Sequence, residues 1–185
     1  MAATATWEQD TGTQTGSPTK GTTRSTPQTN MNFKNSDTFA DVYSSYPITA
    51  GNNSYEIATY VKFTSGSFNN INTGLFAHTA GTAGTGCTIK GIPACTGDGD
   101  RWLYTTPTTS ANATLTTDMT TAIAIGSGVT VCFGATGPEA TSKGTSATGA
   151  ADRYTNYLTT QLQTTGSAVP GDNATLTFTL RFNEN

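Results

Sequence analysis

The chain has 185 residues, of which only 11% are charged, with a net charge of −3, a pI near 4.9 and a single histidine. Its nine basic residues are scattered and form no patch for nucleic acid, whose binding depends on clustered Lys and Arg that release counterions. Grouped ionisable side chains, which most hydrolytic, transfer and metal chemistry needs, are scarce, while the length and 34% hydrophobic content suffice for one β domain with a real core.

In chain order, Met1-Ala2-Ala3-Thr4-Ala5-Thr6-Trp7-Glu8 shows neither a basic nor an apolar leader region, so a product made in a cytoplasm and staying soluble is expected. No stretch approaches the ~20 apolar residues of a membrane helix, and no membrane partner is expected. Residues 9–30 carry no aliphatic or aromatic side chain. Such a stretch alone buries too little surface to offset its ordering entropy, so it folds back on its own body or lies across a neighbouring subunit. The expected organisation is an extended N-terminal arm over residues 1–30, docking through Trp7, Lys20, Arg24 and Pro27, and a β-sandwich body over 31–185.

Beyond residue 30 the pattern has period two with turn punctuation. Tyr55, Ile57, Thr59, Val61 and Phe63 share one face of a strand, with Glu56, Ala58, Tyr60 and Lys62 on the other. Ahead of it, Pro47 fixes φ and keeps Tyr46 extended, Gly51 permits a positive φ, and Asn52-Asn53-Ser54 offers side chains to nearby backbone before Tyr55. Further strands are expected at Met31–Lys34, Leu75–Thr79, Arg101–Thr105, Thr120–Ile125, Val129–Phe133 and Tyr154–Gln163. The last strand alternates Leu176, Phe178, Leu180 and Phe182 with Thr175, Thr177, Thr179 and Arg181, one face core and the other wet. Gly- and Pro-rich turns between strands, with no amphipathic helix and no fixed repeat, predict an all-β antiparallel sandwich, jelly-roll-like.

Residues that could carry chemistry are isolated. His78 sits in a strand pattern with no Gly-x-Ser-x-Gly elbow anywhere, and reads as structural. Cys87, Cys95 and Cys132 are an odd set without a C-x-x-C pair; a Cys87–Cys95 bridge could close a loop, but three reduced, buried thiols are the expectation. Asp98-Gly99-Asp100 lacks the remaining ligands of a calcium loop and reads as a turn. Gly137-Pro138-Glu139-Ala140-Thr141-Ser142-Lys143 is a broken phosphate-loop pattern, and no dinucleotide fingerprint occurs. No catalytic, metal or cofactor-binding residue is therefore expected. Twelve Asp and Glu residues leave a glycosidase-like carboxylate pair open, and Trp7, Trp102, Tyr104, Tyr154 and Tyr157 could stack on a sugar, although strand aromatics more often anchor cores and interfaces.

Two segments carry a family likeness. Asn32-Phe33-Lys34, followed by Ser45-Tyr46-Pro47-Ile48-Thr49-Ala50-Gly51-Asn52-Asn53-Ser54-Tyr55-Glu56, resembles a stretch of tailed-bacteriophage virion structural proteins. Tyr157–Leu162, then Pro170-Gly171 and Thr175–Glu184, resembles their ending, with Phe182 and Asn183 where Tyr and Asp are usual. About a third of the chain is covered, on residues with no catalytic role; the span from Ala77 to Arg153 has no such likeness. The resemblance implies a non-enzymatic virion component, assembled in the bacterial host cytoplasm. It would decorate or cement the head, with the major capsid protein and copies of itself, as a trimer, for partners. Its family-motif residues are Tyr46, Pro47, Gly51, Asn53 and Tyr55. A collar or tail position and a host-glycan-binding sandwich are the alternatives.

Overall fold

The strand expected after the Tyr-Pro-Ile segment forms as β3 (Ile57–Phe63) and lies at the centre of the larger of two sheets. In this computed structural model the described residues are 3–25, 32–79, 83–92, 104–112, 115–119, 121–124, 129–140, 143–144, 146–169 and 176–185. Val61 and Phe63 point into the sandwich core, while Ala58 and Tyr60, one pleat away, are buried on the opposite face beneath a second layer of chain. Both faces of β3 are therefore covered.

β1 (Ala5–Thr15) pairs with one edge of β3, and β2 (Lys20–Arg24) folds back on β1. The other edge of β3 is met by β11 (Arg153–Thr155) and β12 (Leu158–Thr164). β12 continues the sheet to β5 (Cys87–Ile92) and β6 (Thr117–Asp118), and β11 continues it to β8 (Phe133–Gly134) and β9 (Lys143–Gly144). The second sheet centres on β4 (Asn70–His78), flanked by β13 (Phe178–Glu184) on one side and by β10 (Ser146–Thr148) and β7 (Val129–Thr130) on the other. Every pairing is antiparallel, and the two sheets close as a β-sandwich over a Phe-rich core. Phe63 meets Phe182 edge-on at 4.9 Å between ring centroids and Phe133 at 5.7 Å. Burying side chains of this size contributes about 1.5–3 kcal/mol each, with a further ~1 kcal/mol from such ring pairs.

β13 shows the expected alternation, half-buried at Phe178, Leu180 and Phe182 and exposed at Thr179, Arg181 and Asn183. Other expectations differ. The Tyr154–Gln163 strand is broken at Asn156 and Tyr157, where the chain bulges between β11 and β12 and the Asn156 side chain accepts from Cys132 N and donates to Tyr157 O. Residues 32–34 form no strand, and within 121–124 a single bridge joins Ile123 to His78. The Cys87 segment, read as a loop, is β5, whose Thr88 and Ile89 are β-branched and suit a ladder with β12. Arg101, Trp102 and Leu103 lie outside the described residues, and Tyr104 is not in a strand.

The largest departure is at the start of the chain. Of residues 1–30, expected to form an extended arm, Ala5–Thr15 and Lys20–Arg24 form the β1–β2 hairpin of the body's own sheet, and 1–2 and 26–30 lie outside the described residues. Pairing from Ala5↔Phe63 to Asp10↔Ala58 satisfies the backbone that the polar side chains could not anchor by burial. Trp7 packs against the core beside Phe178, 6.1 Å between centroids.

Candidate functional site

β1 and β3 run antiparallel with Glu8 opposite Tyr60 and Asp10 opposite Ala58, which sets two carboxylates on the outer face of the large sheet. The Asp10 carboxylate is completely buried and is satisfied from three directions. Arg24, its partner across the β1–β2 ladder, donates from Nε and Nη2 at 2.9 and 3.1 Å; the Tyr157 hydroxyl and Gly21 N donate as well. The same guanidinium donates to Glu139 Oε2 at 3.0 Å and lies 5.3 Å from the centroid of the Tyr60 ring. Tyr60 in turn donates to Glu8 Oε2 at 2.9 Å. Burial, reinforced by nearby carboxylates, pushes the Tyr60 and Tyr157 hydroxyls well above the usual phenol range. Burial alone would lower the Arg24 value, but the bonds and charges of Asp10 and Glu139 outweigh it and raise it. Asp10 and Glu139, the carboxylates brought together here, thus share one cation and latch the hairpin to the 137–140 turn. Gly137 belongs to that latch, because a Cβ there would sit 2.2 Å from Glu139 Oε2.

The chain around 104–112 and the loop before β3 complete the covering layer. Tyr104 is buried and donates to Gly12 O at 2.7 Å, while Asp37 Oδ2 accepts from Gly12 N at 2.6 Å. Gln161 Nε2 donates to the carbonyls of Ser54, Thr108 and Ser110, and its Oε1 accepts from Asn112 N. Glu56 accepts from Asn112 Nδ2. Desolvation raises Asp37 and Glu56 above the ordinary carboxylate range despite these bonds.

The motif residues lie in this layer. Gly51 adopts φ +85 and its N donates to Thr165 O at 3.0 Å, a conformation that glycine reaches without strain. Asn53 was expected to bond nearby backbone; instead it bridges distant segments, donating to Thr109 O and accepting from Thr164 N. Tyr55 N donates to Lys34 O, which ties the two halves of the first resembling segment together. Tyr46 and Pro47 are exposed, and Tyr46 O accepts from Asn35 N at 2.8 Å.

Around Tyr46 the loop presents apolar side chains to solvent: Val42 is 58% exposed, Tyr43 53% and Tyr46 41%. A 3-10 turn over Tyr43–Ser45 carries them. The turn is held from beneath, where Lys34 Nζ donates to Asp41 O at 2.7 Å, Ser36 Oγ to Asp41 Oδ2, and Asp41 N to Thr38 O. Large apolar groups on a rigidly bonded loop form a surface that can bind by desolvation at small entropic cost. Val42 and Tyr43 carried no signal in sequence, because nothing in an isolated Val-Tyr pair shows that it points outward.

Of the residues expected to dock an arm, Trp7 and Arg24 are engaged within the hairpin and core, Lys20 is exposed at the start of β2, and Pro27 lies outside the described residues. The aromatics considered for sugar stacking are not gathered on the surface: Tyr104 and Tyr157 are buried, Tyr154 and Trp7 half-buried, and Trp102 outside the described residues. His78 is buried in β4, its Nδ1 2.8 Å from Thr79 O. Among the described residues no group of three or more His, Cys, Asp and Glu could hold a metal ion, and no helix is long and apolar enough to cross a membrane. Cys87 is free but Cys132 is disulfide-bonded, so neither three reduced thiols nor a Cys87–Cys95 bridge is formed. Cys87 faces Thr164 across the β5–β12 ladder, which fixes its place in the sheet; Cys95, Asp98 and Asp100 lie outside the described residues. Comparison with protein-family models, with curated proteins and with solved structures finds no match to this chain.

Proposed function

We propose that this protein is a non-enzymatic structural component of a tailed-bacteriophage virion. In this reading it binds the outside of the head shell, alongside copies of itself, and stabilises the shell through buried contact area. The observation that carries the reading is the rigidly held loop presenting Val42, Tyr43 and Tyr46, because Tyr46 belongs to the first of the two segments that resemble virion structural proteins and Val42 and Tyr43 lie between the two halves of that segment. Tyrosine is enriched where interfaces gain most of their binding energy. The ionisable groups of the covering layer are engaged in bonds that hold the fold, in keeping with a role through contact. A ligand that binds only the assembled shell stabilises it by mass action, without chemistry.

Labelling the protein in purified virions and imaging them tests this. Label on the head supports the proposal, label on the collar or tail replaces the head position with the other one, and particles without the protein overturn it. Tyr43 and Tyr46 also give the host-glycan reading its one specific support, since exposed rings can stack on a sugar. A glycan array on which the protein binds a saccharide, and Tyr43→Ala does not, would favour that reading.

A further inference from the structure

We infer that copies of this chain pair through β13, edge to edge and antiparallel about a two-fold axis at Leu180, so that the smaller sheet runs continuously through a dimer. Among the described residues β13 is paired with β4 alone, which leaves its other edge open along Phe178–Glu184. An open edge of this length is a template for another strand.

The backbone shows which groups that edge offers. Thr79 N donates to Thr177 O at 3.0 Å, and Asn70 and Asn185 exchange both bonds at 3.2 and 3.1 Å. Odd-numbered residues of this strand therefore bond inward to β4. The bulge between Arg181 and Asn183 puts its extra residue in β4, since Arg181 faces Leu75 and Asn183 faces Asn72, so the alternation along β13 is unbroken. The N–H and C=O groups of Phe178, Leu180 and Phe182 point to the open edge.

The strand is also self-complementary. Phe178-Thr179-Leu180-Arg181-Phe182 reads with the same apolar pattern in both directions from Leu180. In an antiparallel register centred there, Phe178 lies opposite a second copy's Phe182 and Leu180 opposite itself, and these are the residues whose backbone groups face outward. Thr179 then lies opposite Arg181 on the exposed face. Moving the axis to Arg181 keeps the bonding parity but sets two arginines directly across from each other, which is unfavourable. Apolar pattern and charge favour the Leu180 register over the one at Arg181, an axis at Thr179 would overlap only the first three residues of each strand, and a two-fold contact of this kind closes on itself. The pairing concerns copies of the chain with one another and does not depend on a virion position.

Sedimentation equilibrium of the purified protein tests the inference. The expected mass is twice the 19.1 kDa of one chain. Thr179→Lys places like charges at both symmetric contacts and should raise the dimer Kd about tenfold. Adding Arg181→Glu sets opposite charges there and should restore dimerisation. Both side chains are exposed, so unchanged melting of the diluted monomers checks that the fold is intact. A monomeric or trimeric wild type, or a dimer that Thr179→Lys leaves unaffected, overturns the inference.

Discussion

Arg24 and Asp10 are direct partners across the β1–β2 ladder, and the guanidinium of one closes on the buried carboxylate of the other with two bonds of 2.9 and 3.1 Å. Arg24 is itself about a third exposed, at 31% of its side chain, so water screens part of the pair. Its removal nonetheless leaves a buried carboxylate beside Glu139. Arg24→Ala is expected to cost about 2–3 kcal/mol, measured by urea unfolding, with early amide exchange across β1 and β2. Arg24→Lys should recover little, because an ammonium cannot reproduce the fork that spans Asp10 and Glu139. Wild-type stability in Arg24→Ala would show that the latch does not hold the hairpin.

Thr73 has φ +50 at the β4 bulge, a left-handed conformation that is costly for a β-branched residue. It is exposed, so little packing is lost on substitution. Thr73→Asn, which tolerates this region, is expected to stabilise the protein by about 1 kcal/mol and raise Tm by roughly 2–4 °C. A lower Tm would mean that the bulge does not strain the threonine.

Burial raises the Asp37 and Glu56 carboxyls above their unfolded values. A group of this kind binds its proton more tightly in the folded state, so it weakens the fold as pH rises through the window above the ordinary carboxylate range. Asp152 acts in the opposite sense: Ser65 N and Lys62 lower it, and the stability it provides is lost only as pH falls below the ordinary aspartate value of 3.8. Tm should therefore rise as pH is lowered from neutral toward the ordinary carboxylate range. Asp37→Asn, whose amide oxygen can still accept from Gly12 N, should flatten that rise. A wild-type Tm that is constant or falls over this range contradicts the assignment.

The sandwich was legible where side chains alternate. β3 and β13 each carry a one-face apolar pattern that a pleated strand must bury, and the structure places both within a residue or two of the expected bounds. The hairpin was not legible. β1 and β2 are held by main-chain pairing and by the Asp10–Arg24–Glu139 bonds, and a residue such as Glu139, 115 positions from Arg24, gives no sign of its partner in one dimension. Gly74 shows the same limit: its Cβ would sit 2.5 Å from Cγ2 of Val131, whose N donates to Gly74 O where the chain runs on from β7, a close approach set by a residue distant in sequence rather than by any local pattern. In the candidate site, the turn-forming role of Gly51 could be read from residue type. The outward display of Val42, Tyr43 and Tyr46 depends on Lys34 and Ser36 holding the turn from below.

Co-sedimentation of the purified protein with heads that lack it tests the central proposal most directly. Saturable binding by the wild type is expected, together with a Kd at least about tenfold weaker for the Tyr43→Ala/Tyr46→Ala double variant, whose folded stability should stay within ~0.5 kcal/mol because both rings are exposed. Heads that take up no wild-type protein, or that take up the double variant equally well, would contradict the account.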